Sequence, residues 1–401
     1  MPSTSINLHV YPSPLTHESR MLKETAAIAS FAVFDRIVLV GAMAPGLPER
    51  EVLDARREMA RFSRAVPAWI PGSLGKALGV ATWSLRILHH YWNEPVACIN
   101  CHSLSTLPLG VLLKWRTGAR LIYDAHELET EANGLRGLRR RLSKVVERTF
   151  YRAADDVIVV GERIADWYHR TYGGRRPTVV LNCPPAHEPQ RSSMLRDALG
   201  LSPETLIFLY QGILGPGRGV ELMLEAFVGI QDPRKVLVLL GMEPLSSEIA
   251  AVAARSACIR LHAAVPPDRL AEYTASADVG LCLIEDTCLS YRYCMPNKLF
   301  EYLAAGVPAL VSNLPEIAQV VTRQGGGWVL PQWSAAQLRA LVASVEPADL
   351  ESRRVAAIAT AREYTWEAQL PRLEALYARL ALVAPSAGRD TASVSRETGF
   401  C

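Results

Sequence analysis

Short Val/Ile/Leu-rich runs alternate with helical stretches along this 401-residue chain, and one proline-rich break interrupts them near its middle. The runs Ile6–Tyr11, Arg36–Gly41, Ala97–His102, Arg120–Asp124, Asp156–Val160 and Thr178–Leu181 are bounded by polar residues, Gly or Pro. Strands buried on both faces read this way. Helical patterns at His17–Ser30, Glu49–Arg64, Ser73–Tyr91 and Gly137–Arg152 separate them. Such alternation predicts a doubly wound parallel sheet. Asn182 to Pro189 then holds three prolines, which remove donors and fix φ, so neither strand nor helix can continue. Beyond it, strands are expected at Leu206–Tyr210, Val236–Gly241, Ile259–His262, Val279–Ile284, Ala309–Ser312 and Trp328–Leu330.

The expected fold class is α/β, with two Rossmann-like domains facing each other across a cleft, a size suited to this length. The first domain is expected over 1–183, a linker over 184–202 and the second domain over 203–364. A C-terminal helix at 365–384 is expected to pack back on the first domain, ahead of a disordered polar tail at 385–401. A ligand belongs in the cleft, where strand C-termini meet.

A net charge of +3 makes no case for nucleic acid, though mild basicity suits phosphate ligands or an anionic membrane. Met1 to Ser5 has neither a basic n-region nor an apolar h-region, and no run reaches the roughly 18 apolar residues of a membrane span. The expectation is a cytoplasmic chain, with peripheral contact at the inner face of the membrane as an option. That option rests on Leu135 to Arg148, where six Arg and Lys residues lie beside Leu138, Leu142, Val145 and Val146. It reads either as a membrane-facing amphipathic helix or as a solvated face over a core stripe. The eight cysteines are scattered, as core residues in a reducing compartment are. Cys98-Ile99-Asn100-Cys101-His102 matches a haem-attachment spacing, but on a strand its two thiols point to opposite faces.

Three segments carry chemistry. Pro296 suits a helix start, and the N–H groups of Asn297, Lys298 and Leu299 would form a diphosphate site with the helix dipole. Lys298 adds charge, and Glu301, one turn on, can accept from a ribose diol. An ordinary amphipathic helix with Leu299, Phe300 and Leu303 as core is the plain alternative. Tyr210 to Glu221 is dense in glycine: Gly212 and Gly217 let the backbone near a phosphate and Arg218 can pair with it. A strand-to-helix turn alone would read the same. Asp124, His126 and Glu127 cluster at a strand's C-terminal end, where unpaired burial would be costly.

From Ala277 to Ile317, including Pro296-Asn297-Lys298, Glu301 and Gly306-Val307-Pro308, the chain resembles the retaining glycosyltransferases of family 4. Asp124-Ala125-His126-Glu127 is similar to the motif of that family's first domain. The resemblance implies a GT-B fold and metal-independent transfer from a nucleoside-diphosphate sugar to a glycan, lipid-linked or small-molecule acceptor, with no cofactor. The Pro-Asn-Lys variant resembles the branch acting in bacterial surface-polysaccharide assembly. It implies Arg218, Lys298, Glu301 and His126 as catalytic residues, with His126 near the transferred sugar, and Arg20 and Glu127 on the acceptor side. Tyr293 and Ile213 depart from it, standing where many members have glutamate and arginine. A sugar-nucleotide epimerase of similar build and a non-catalytic, donor-binding partner subunit are the alternatives.

Overall fold

The computed structural model describes residues 5–64, 66, 72–242 and 247–380. The expected tail at 385–401 lies outside the described residues. Hydrophobic runs form two sheets. The first contains β1 (Ile6–Val10), β2 (Arg36–Ala42), β3 (Arg50–Val52), β4 (Arg57–Phe62), β5 (Val96–Cys101), β6 (Arg120–Ala125), β7 (Asp156–Val159) and β8 (Thr178–Val179). Their order is β3-β4-β2-β1-β5-β6-β7-β8. Only β3 runs antiparallel to its neighbour.

The second contains β9 (Leu206–Ile213), β10 (Lys235–Met242), β11 (Ile259–Ala263), β12 (Val279–Cys282), β13 (Ala309–Ser312) and β14 (Gly327–Leu330). Its order is β11-β10-β9-β12-β13-β14, with every pair parallel. Strand order reverses between β1 and β5 and between β9 and β12, so each sheet has one crevice at its strand C-termini.

The helix expected over Glu49–Arg64 is not formed; β3 and β4 occupy that stretch. Asp54 Oδ1 accepts from the backbone N–H groups of Arg56 and Arg57, both at 2.9 Å, and closes the turn between the strands. Met59 and Ala60 then bury on opposite faces of β4. Cys98 and Cys101 likewise enter different apolar clusters, so the haem spacing is a strand coincidence.

Helix Asn297–Ala304 approaches the second sheet closely. A Cβ at Gly280 on β12 would overlap the ring of Tyr302, whose hydroxyl donates to Leu209 O at 3.0 Å. The final helix, Leu370–Arg379, lies on the first sheet, where Leu373, Leu376 and Tyr377 share a cluster with Ile28, Phe34 and Ile122. Among the described residues, no helix is long and apolar enough to cross a membrane. On helix Gly137–Tyr151 the expected apolar residues divide: Val146 packs against the core, while Leu138 is 70% exposed, Leu142 55% and Val145 61%.

Candidate active site

A cleft of about 650 Å³ is lined from both halves of the chain. His126 and Glu127 reach it from the end of β6, Gln211 and Gly212 from the end of β9, and Lys298 and Glu301 from helix Asn297–Ala304. That helix starts where Pro296 holds extended backbone, φ −74° and ψ 139°. Leu299, Phe300, Tyr302 and Leu303 are buried, which turns Asn297, Lys298 and Glu301 toward the cleft.

Leu299 does not contribute as expected. Its N–H bonds back to Pro296 O at 3.1 Å and its side chain is core, so only Asn297 and Lys298 of the expected trio lie on the cleft. Lys298 Nζ sits 3.6 Å from the centre of the Tyr210 ring. Burial pushes its ammonium down to about 8; Cys282 and Glu301 oppose that, and the Arg218 charge adds to it. Gly212 holds φ +122°, a backbone conformation that favours glycine, and lies in van der Waals reach of the Lys298 ammonium. Arg218 stacks over Tyr291, 4.9 Å from the ring centre. Gly217 is behind this pair, not on the cleft; its φ of +75° and the nearby Tyr291 ring, 2.7 Å from any Cβ, demand glycine. Among the described residues, neither Arg218 nor Lys298 forms an ion pair, and both face the cleft.

Sequence reasoning missed Gln211. Its Nε2 donates to Glu301 Oε2 at 2.6 Å, while its Oε1 accepts from Thr274 at 2.8 Å and its backbone N–H donates to Tyr302 at 3.0 Å. Gln211 is thereby fixed, and fixes Glu301. Burial raises the Glu301 carboxyl against the lowering effect of this bond. The signal was a lone amide within an otherwise apolar strand.

On the other wall, Glu127 Oε2 accepts from Ser290 Oγ at 3.0 Å, joining the two halves across the cleft. Arg20 does not reach the cleft. It is 5% exposed, grips Asp124 through two bonds at 3.0 and 2.8 Å, and donates to Val180 O at 2.8 Å. Its guanidinium is consumed inside the first half, which corrects the acceptor-side expectation.

Behind His126 lies a buried polar chain that the sequence reading also missed, apart from Asp124 and His102. His126 Nε2 is 3.3 Å from Asp124 Oδ2 and 3.1 Å from His102 Nδ1. His102 Nδ1 is 2.9 Å from the same Asp124 oxygen, and its Nε2 is 2.8 Å from His9 Nδ1. His9 Nε2 is 2.8 Å from Asn7 Oδ1; Asn7 donates to Asn100 at 2.9 Å, and Asn100 to the Tyr377 hydroxyl at 2.9 Å. His102, Asp124 and His126 are close enough to share a metal, as are His9, Glu24 and His102. The Arg20 charge on Asp124 and the mutual hydrogen bonds make a polar cluster the better description of both sets.

The family model described as a glycosyl transferase 4-like domain matches residues 20–185, and that described as glycosyl transferases group 1 matches residues 205–346. No curated protein matches the chain. Among solved structures, a sucrose-phosphate synthase from Thermosynechococcus elongatus is similar at 16% identity and TM-score 0.79, over 95% of this chain and 100% of that one. HepE from Anabaena, solved in complex with UDP-glucose, is similar at 14% and 0.70, over 94% and 100%. An α,α-trehalose-phosphate synthase (UDP-forming) from Burkholderia vietnamiensis gives 13% and 0.68, over 94% and 100%. At these identities the likeness speaks for the two-sheet fold.

Proposed function

The chain belongs to the glycosyltransferases built from a 4-like domain followed by a group 1 domain, and on that premise we propose that it moves a sugar from a nucleoside diphosphate to a hydroxyl acceptor with retention and without a metal. One observation carries the reading: two cations without an ion pair among the described residues, Arg218 and Lys298, flank a helix N-terminus, with a fixed carboxylate, Glu301, one turn beyond. A diphosphate fits the first group. A ribose diol fits the second.

As the bond from the anomeric carbon to phosphate breaks, charge grows on the departing diphosphate. Arg218, Lys298 and the helix dipole are already oriented to stabilise it. His126 faces the sugar from the opposite wall. The leaving phosphate, on the face where the acceptor enters, takes the acceptor's proton, which accounts for retention. A nucleotide sugar is the donor class, and a glycan or lipid-linked acceptor in bacterial polysaccharide assembly is the proposed setting.

Glu301→Ala and Lys298→Ala are each expected to lower kcat/KM for the donor by on the order of 100-fold. A melting-temperature panel of nucleotide sugars identifies the donor first, since a bound ligand raises the melting temperature. Unaltered transfer in both variants would refute the assignment. Isomerisation of the donor without acceptor would replace it with an epimerase.

The exposed Leu138, Leu142 and Val145 recur at helical spacing among Arg139, Arg141, Lys144 and Arg148, which supports peripheral contact with an anionic membrane. Co-sedimentation with phosphatidylglycerol vesicles, lost in Leu142→Asp and weakened by salt, is the expected result. No binding at any salt concentration would sink it.

A further inference from the structure

Asn7 and His9 on β1, Asn100 and His102 at β5, and Asp124 and His126 at β6 share one face of the first sheet. Arg20 and Glu24 meet them from helix Ser19–Ser30, and Tyr377 from the final helix. The hydrogen-bond directions follow from the two ends. Asn7 donates to the backbone oxygen of Cys98 at 3.2 Å, so its amide is oriented and its oxygen must accept from His9 Nε2. At the other end Asp124, an acceptor held by Arg20, faces His102 Nδ1.

Two imidazoles thus stand in series between two acceptors, with three contacts at 2.8, 2.8 and 2.9 Å. Each contact requires a hydrogen, and two neutral rings carry only two. Glu24 is fully buried against the same rings, approaches Arg20 as an ion pair at 2.8 Å, and feels Asp124 and Lys23 beside it. Ligand atoms of Glu24, His9 and His102 lie within 4.8 Å of one another.

We propose that the His9–His102 pair and Glu24 form a one-proton cluster, a shared imidazolium facing a carboxylate, that positions His126 for the sugar. Asp124 Oδ2 faces His126 Nε2, so that nitrogen carries the hydrogen and Nδ1 presents its lone pair to the cleft. With the hydrogen of His102 Nδ1 committed to Asp124, His126 has Asp124 as its own acceptor. If the pair loses its proton, the bare His102 Nδ1 competes for the His126 hydrogen from 3.1 Å, and the cleft ring turns. Burial works against the charged form on both rings, holding His9 well below the ordinary histidine range and pushing His102 down to about 4; burial and the neighbouring Asp124 carboxyl hold Glu24 well up, which makes Glu24 the other seat of the same proton. Lys23 on the same helix, Cys183 after β8 and Tyr377 are the other titratable groups around the cluster. The proton's existence is independent of the transfer reading; its role at His126 rests on it.

Ring N–H signals of the 15N-histidine-labelled, ligand-free protein decide the matter. The expected result near neutral pH is three ring hydrogens on His9 and His102 together, and two in Glu24→Gln. Two in the wild type, or three in Glu24→Gln, overturns the cluster. The wild-type spectrum decides even if the variant misfolds. With the donor identified, Glu24→Gln is expected to lower kcat about tenfold and leave the donor KM unchanged, because the diphosphate and ribose groups lie in the other half. A matching loss in KM, or an unchanged kcat, overturns the positioning role. The spectra need no substrate, so failure of the transfer reading leaves them standing, and the reverse.

Discussion

Lys298 shows how much one residue's surroundings decide. Its ammonium, brought down to about 8 chiefly by burial, is charged at neutral pH and loses its proton just above it. A diphosphate needs the charged form, so kcat/KM for the donor, which reports the free enzyme, is expected to fall as pH rises through about 8. Lys298→Arg, charged throughout, should be weaker yet flat over the same interval. Steady-state kinetics to about pH 9.5 checks both, and a flat wild-type profile would exclude the role. The cations and carboxylate of this wall were legible in the sequence because a helix start and one turn of spacing are local features. Arg20 was misread because its partner Asp124 is distant in sequence. Glu24, His9 and Gln211 were missed for the same reason, although Asn7 and His9 on β1, Asn100 on β5 and Asp124 on β6 break the apolar pattern a buried strand should keep.

At the scale of elements, buried parallel strands announce themselves as apolar runs, and those of both sheets were found where expected. The edge pair β3 and β4 was not, because an edge strand half in solvent carries charges that mimic a helix, and only the Asp54 turn betrays it. Helix Asn297–Ala304 owes its position to a glycine rather than to its own sequence. Gly280→Ala should push Tyr302 off β12 and cost about 1–3 kcal/mol, read as a lower melting temperature. Because Tyr302 also holds the backbone of Gln211, the same change should weaken donor binding. Normal stability together with normal affinity would show that the close approach is dispensable.

Across the whole molecule, two half-structures were legible in the sequence, but not how they touch. Ser290 bonds to Glu127, Thr287 to Asn133 at 3.2 Å, and Glu316 accepts from the backbone N–H of Arg163 at 2.6 Å, capping helix Glu162–Tyr172 from the other half. Each joins residues more than a hundred positions apart, which no local pattern encodes. The return of the final helix to the first sheet has a further consequence. The chain passes between the halves twice, near Pro184 and near Trp366, and the N–H of Trp366 bonds to Pro184 O at 2.9 Å, so the two passages run side by side. A body held by one thread can swivel in any direction. Held by two adjacent threads, it is left mainly one easy motion, a rotation about the line they define, which opens or shuts the cleft while keeping its walls in register.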